Sequence, residues 1–182
     1  MLILASNSTT RASILRQHNI DFVQVGVDFD ESSIKTNCPK TLVYSIAQGK
    51  SKRYQSLYGI EKPFLCADTV VVSSGRILEK ARDIKEAREM LRLQSANSVE
   101  IFTSMIYRSP KLRLEDLSVT SYFFELFDED EMEVYLSSNE WKDKAGACMV
   151  EGFCKSYIRK VVGYESSAKG LCIEKLLPFL EI

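Results

Sequence analysis

An α/β fold is the expectation for this chain, on three observations: an apolar opening that passes through a hydroxyl-rich loop into a helical pattern; a central run, Phe64 to Val72, apolar enough for a fully buried strand; and two β-rich segments after it, with helical patterns on either side. At 182 residues with 45% hydrophobic residues, the chain can bury a sizeable core and is too short for two independent domains, so a single domain over 1–182 is expected.

The elements follow in order. Residues 2–5 read as a strand, Ser6-Asn7-Ser8-Thr9-Thr10 as an N-capping loop, and Ala12 and Leu15 as the inner face of a first helix. Phe22 to Val25 suggests a second strand. From Lys40 to Tyr58, Val43, Ile46, Ala47 and Tyr54 share one helical face, and Lys50 lies on that same face, pointing inward. The Phe64–Val72 strand ends in a Ser73-Ser74-Gly75 turn leading to Ile77-Leu78. Asp83 with Glu86, and Asp128 with Glu131, are capping signals that open two further helices. Val99 to Tyr107 and Leu112 to Phe127, with Pro110 between them, predict an antiparallel pair. Ala168 to Leu180 predicts a last helix broken near Pro178, with Leu171, Leu176 and Leu177 buried.

Twenty-four basic residues nearly cancel 25 acidic ones, which argues against a nucleic-acid partner or an anionic membrane surface. No apolar stretch is long enough to span a bilayer, and the opening Met-Leu-Ile-Leu-Ala is too short for a signal peptide. Cys38, Cys66, Cys148, Cys154 and Cys172 form no C-x-x-C pair, so reduced thiols in a cytoplasmic protein are expected.

Asp68 stands out chemically. An ionised carboxylate within an apolar strand costs several kcal/mol unless donors or a cation meet it; the alternative is a carboxylate at a strand end that caps the next turn. The loop from Ser6, with Arg11 in the first helical turn, could hold a phosphate, or Ser8 or Thr9 could simply cap the helix. Glu31, after Asp28 and Asp30, could ligate a hard cation or belong to a solvated acidic loop. Lys80, on composition, is a surface lysine. Lys144, followed by Ala145-Gly146-Ala147, could approach a ligand closely, or the small residues could serve a tight turn. His18 is the only histidine, which argues against histidine triads and zinc sites.

In this order, Leu2-Ile3-Leu4-Ala5-Ser6-Asn7-Ser8-Thr9-Thr10-Arg11, Glu31, Lys50, Ala67-Asp68-Thr69-Val70-Val71, Lys80, Asp143-Lys144-Ala145-Gly146-Ala147 and Gly170-Leu171 resemble the Maf family of nucleoside triphosphate pyrophosphatases over almost the whole chain. The resemblance implies an elongated mixed β-sheet with flanking helices, two lobes around a central cleft, similar to the inosine triphosphate pyrophosphatases. It implies cleavage of a nucleoside triphosphate between the α and β phosphates, on non-standard or pyrimidine nucleotides, with a divalent cation, Mg2+ or Mn2+. Asp68 falls on the family's proton acceptor, and Glu31 with Asp68 on its metal site. Ser6, Ser8, Arg11, Lys50, Lys80 and Lys144 fall on its phosphate-facing positions, and Thr10, Thr69 and Glu151 on those that select the nucleotide. Homodimers are common in the family. Thr9, Thr10, Ala81, Ala96, Val99 and Glu151 depart from its pattern. These departures leave nucleotide preference open and motivate an alternative, a weakly catalytic nucleotide-binding regulator of septum formation and cell division.

Overall fold

In the computed structural model, which describes residues 1–180, the opening apolar run forms β1 (Leu2–Leu4) and the central run forms β3 (Phe64–Ser73), paired in parallel with Ile3 opposite Phe64. β2 (Phe22–Gln24) pairs in parallel with the other side of β1. Parallel neighbours need crossover connections. α1 (Thr9–Gln17) provides the first and α2 (Pro39–Tyr58) the second.

Strands covered on both faces read as continuous apolar runs, and the packing shows why here. Leu2, Leu4, Leu65 and Ala67 pack with Ala12 and Leu15 of α1 and with Leu171, Ile173 and Leu176 near the C-terminus. The alternate residues Ile3, Ala5, Phe64 and Cys66 pack with Tyr54 of α2. Full burial of one large apolar side chain stabilises by about 1.5–3 kcal/mol.

The sheet is mixed, as expected, and has seven strands in the order β2-β1-β3-β5-β6-β7, with β4 (Arg76–Leu78) antiparallel to β3. β5 (Ser98–Arg108) and β6 (Arg113–Phe124) are neighbours. Their connection, closed by the Ser109 N–H on the Leu112 carbonyl at 2.8 Å, is far too short for a parallel crossover, so the pair is antiparallel. β6 ends at Phe124 rather than Phe127, because Phe127 leaves the sheet to pack on Phe124, Phe153 and Tyr157. β7 (Ile158–Val162), antiparallel to β6, was not foreseen. As a mostly exposed last strand it lacks the apolar alternation that marks a half-buried one.

The described chain forms two compact units: Met1–Thr69 with Phe102–Val119 and the chain from Tyr164 on, and Val70–Ile101 with Thr120–Gly163. In the second, α3 (Ile84–Gln94) and α4 (Glu129–Ser138) start where the capping signals place them. Asp83 accepts from the Glu86 N–H at 2.8 Å and Asp128 from the Glu131 N–H at 2.9 Å.

Two expectations need correction. The C-terminal segment is not one helix broken at Pro178: α5 (Glu165–Ala168) is followed by a turn through Gly170, at φ +104°, and then α6 (Ile173–Leu180), which contains Pro178. Leu171 and Leu176 are buried as expected, and Leu177 is partly so. Nor are all cysteines free: Cys148 and Cys154 form a disulfide with Cα atoms 6.4 Å apart, while Cys38, Cys66 and Cys172 are free thiols. A six-residue separation without a C-x-x-C pattern carries no signal for this pairing, which the turns between the two residues bring about.

Candidate active site

The period of two along β3 decides what its central polar pair, Asp68 and Thr69, can reach. Asp68 continues the face of Phe64 and Cys66, toward α2, whereas Thr69 continues that of Leu65 and Ala67, toward α1. Asp68 is only 8% exposed. Lys50, one turn after Ile46 on the inner face of α2, donates from Nζ to Asp68 Oδ1 at 2.7 Å and also lies 2.7 Å from Glu31 Oε1. One ammonium thus joins two carboxylates. Burial raises the Asp68 carboxyl above its ordinary range, against the opposing pull of Lys50 and Arg11. Burial also pushes the neighbouring Cys66 thiol up to about 12, so it stays neutral and unreactive.

Glu31 reaches Lys50 because of what precedes each residue. Asp30 accepts from the Ser32 N–H at 3.0 Å and from its hydroxyl at 2.6 Å, capping a short 3-10 turn, Glu31–Ser33, so its carboxylate is occupied in shaping the loop. The Phe29 ring sits where a side chain at Gly49 would be, since a Cβ there would lie 2.1 Å from Phe29 Cζ. A glycine inside a helix, just before Lys50, was a readable signal of close approach, although the sequence reading did not single it out. Helix propensity alone makes Gly49→Ala about 1 kcal/mol stabilising. We expect instead a melting temperature no higher than wild type, because the added methyl displaces Phe29 and with it Glu31. Thermal denaturation of the two proteins side by side checks this.

The loop after β1 shows that the two readings of its hydroxyls divide between residues. Ser8 is the N-cap of α1, accepting from the Arg11 N–H at 3.3 Å. Ser6 Oγ accepts from the Ser8 N–H at 3.2 Å and from Arg11 Nη1 at 3.1 Å, which leaves its one proton to donate elsewhere. Gln24, which sequence reasoning missed, holds the loop by donating to the carbonyls of Ser6 at 2.7 Å and Ser8 at 3.3 Å. The Arg11 side chain donates from Nε to the Gly170 carbonyl at 2.8 Å and from Nη2 to Thr69 Oγ1 at 3.2 Å. These bonds commit three of its five donors and leave two. Gly170 is required for this approach: at φ +104°, a Cβ would sit 3.2 Å from Arg11 Nε and 3.3 Å from Thr69 Oγ1. Thr10 follows in the first turn of α1.

In the second unit, Lys80 pairs through its backbone with Ala145, and the Gly146 N–H donates to the Glu79 carbonyl at 2.9 Å. The Lys80 and Lys144 backbones are thereby held side by side. Gly146, at φ +67°, forms the tight turn that its small neighbours permit, and buried Gln94 clamps it by donating to its carbonyl at 2.6 Å. The Lys80 ammonium is exposed, 3.5 Å from Asp143, and Glu151 is exposed on the segment that follows.

These features define an α/β protein in which a buried carboxylate in the middle of a central strand is neutralised from a helix, near a hydroxyl-bearing loop and a guanidinium from the first turn of α1. A family profile described as Maf-like protein matches residues 1–182, and the chain belongs to the Maf family. A nucleoside triphosphate pyrophosphatase of a Nitratiruptor species is 49% identical over 97% of this chain and 96% of its own. Proteins with the same name from Campylobacter jejuni subsp. doylei and Helicobacter pylori (strain Shi470) are 40% and 38% identical, covering 99% and 100% of this chain and 100% and 95% of theirs. Among solved structures, the Staphylococcus aureus Ham1 protein shows a partial likeness, with a TM-score of 0.47 and 12% identity over 68% of this chain and 71% of that one.

Proposed function

We propose that this chain is a nucleoside triphosphate pyrophosphatase, with Asp68 accepting the proton of the attacking water. The anhydride bond between the α and β phosphates breaks, the water oxygen adds to phosphorus, and the nucleoside monophosphate and pyrophosphate leave. The observation that carries this reading is a carboxylate 8% exposed, kept beside an ammonium at 2.7 Å rather than replaced by an apolar residue. Such a costly arrangement suits a base whose pKa must be raised toward the working pH. Around it, the free proton of Ser6, the two uncommitted Arg11 donors and the first N–H groups of α1 suit phosphate oxygens. The same role is proposed for Ser8, Lys80 and Lys144 on the family's pattern.

A divalent cation fits the donor set. Among the described residues no group of three or more His, Cys, Asp or Glu is arranged to hold a metal, but magnesium is ordinarily held by one or two carboxylates together with substrate phosphates. Glu31 and Asp68 are such a pair, all oxygen and already sharing one cation, Lys50. When bound, Mg2+ or Mn2+ would neutralise phosphate charge and orient water. Among the described residues, no helix is long and apolar enough to cross a membrane. We place the protein in the cytoplasm, where nucleoside triphosphates are held.

The test is pyrophosphate release across a panel of nucleotides, with and without magnesium or manganese. Turnover should require the metal. Because the base must be ionised, kcat/KM should fall as pH drops toward the Asp68 pKa, which burial raises above the ordinary aspartate value of about 4. Nucleotide binding without turnover on any member of the panel would overturn the enzymatic reading.

A further inference from the structure

Behind Arg11 and Thr69 lies a closed ring of hydrogen bonds whose direction can be worked out. Thr103, fully buried on β5, donates from Oγ1 to the Ser167 carbonyl at 2.7 Å. Its hydroxyl is also 3.0 Å from Thr69 Oγ1. A hydroxyl has one proton, and a carbonyl can only accept, so the proton of Thr103 is spent on Ser167. The proton between the two threonines therefore belongs to Thr69. Thr69 accepts in turn from Arg11 Nη2 at 3.2 Å, so the chain runs one way, from Arg11 through Thr69 and Thr103 to Ser167. Gly170 closes the ring: its N–H donates to the same Ser167 carbonyl at 2.8 Å, and its own carbonyl accepts from Arg11 Nε at 2.8 Å.

The consequence lies at Thr69. Its only proton is committed inward and one lone pair is taken by Arg11, so what it can offer outward is a single acceptor position. We propose that Thr103 is a positioning residue for nucleotide selection: it fixes Thr69 as an acceptor toward the substrate and keeps the Arg11 fork in register, without itself touching the nucleotide. Thr69 then matches a nucleotide that presents an N–H or O–H there, and mismatches one that presents a lone pair. This rests on the proposed function and on the family resemblance, which puts Arg11 at a phosphate-facing position and Thr69 among those that select the nucleotide.

The experiment compares wild type with Thr103→Val, which keeps the shape and removes the hydroxyl, and with Thr103→Ser, which restores it. Steady-state kinetics and calorimetric binding are measured for each nucleotide of the panel. In Thr103→Val the Thr69 proton is released, so the relative preference between nucleotides should change by about five- to tenfold, the worth of one hydrogen bond. The change should fall in KM and binding rather than in kcat, and Thr103→Ser should recover the wild-type ranking. A ranking unchanged in Thr103→Val, with wild type active, would overturn the inference and leave the enzymatic reading standing. Wild type that neither binds nor hydrolyses any nucleotide would overturn both. Should Thr103→Val fail to fold, Thr103→Cys, a weaker donor of similar size, should shift the ranking in the same direction by less, and an unshifted ranking would count equally against the proposal.

Discussion

Asp68→Asn should lower kcat for pyrophosphate release by about 10²–10⁴-fold, the usual contribution of a positioned general base, while leaving the fold intact. Asparagine has the same shape and can still accept a hydrogen bond from Lys50, but it cannot take a proton from water. Its effect on stability follows from the raised pKa of the carboxyl. Between the unfolded-state pKa and the higher folded-state pKa the folded protein binds more protons, so ionisation of Asp68 lowers stability as pH rises through that window. The neutral variant lacks this loss, and its Lys50 ammonium keeps Glu31 as an ionic partner at 2.7 Å, so near neutral pH it should melt no lower than wild type, a loss of activity without a loss of stability. Circular dichroism melts at several pH values, beside the rate assay, check both halves. Wild-type turnover in the variant would remove Asp68 from the chemistry.

Lys50→Met should be costly on both counts. With side chains 16% and 11% exposed, Lys50 and Asp68 are largely removed from solvent, whereas the Glu31 side chain is 51% exposed and can be solvated alone. Removing one partner of a buried pair leaves an uncompensated charge, at about 3–5 kcal/mol. The lower end is expected here, because Asp68 can escape by protonating. That escape is itself measurable: without the ammonium the Asp68 pKa rises further, and any residual activity should have its acid limb displaced to higher pH. Urea unfolding gives the first quantity and the pH profile of kcat/KM the second. A variant with both midpoint and profile unchanged would show that the 2.7 Å contact does not neutralise Asp68.

Much of the fold was legible in the sequence because its signals are local. Hydroxyls and aspartates preceding helical patterns mark the starts of α1, α3 and α4, since a capping side chain bonds within three residues of itself. The unbroken apolar run at Phe64–Val72 marks a strand buried on both faces, and the spacing of Val43, Ile46 and Lys50 turns that lysine inward. β7 and the break at Gly170 were missed because their causes are distant: β7 exists by pairing with β6, and Gly170 is bent where Arg11 reaches it. The Cys148–Cys154 pairing and the clamp of Gln94 on Gly146 depend likewise on what turns bring together.

The candidate site divides in the same way. Residue order along the chain pointed to the candidate groups and determined that Asp68, set among apolar neighbours, must be met by a cation or by hydrogen-bond donors. Which group meets it, and which hydroxyls orient Arg11, was decided only by tertiary packing. Asp68 and Thr69 are adjacent in sequence yet face opposite sides of β3, one meeting Lys50 and the other Arg11 and Thr103. The alternation of a strand is written in its sequence, but the helix lying over each face is not, because that depends on contacts between residues far apart along the chain.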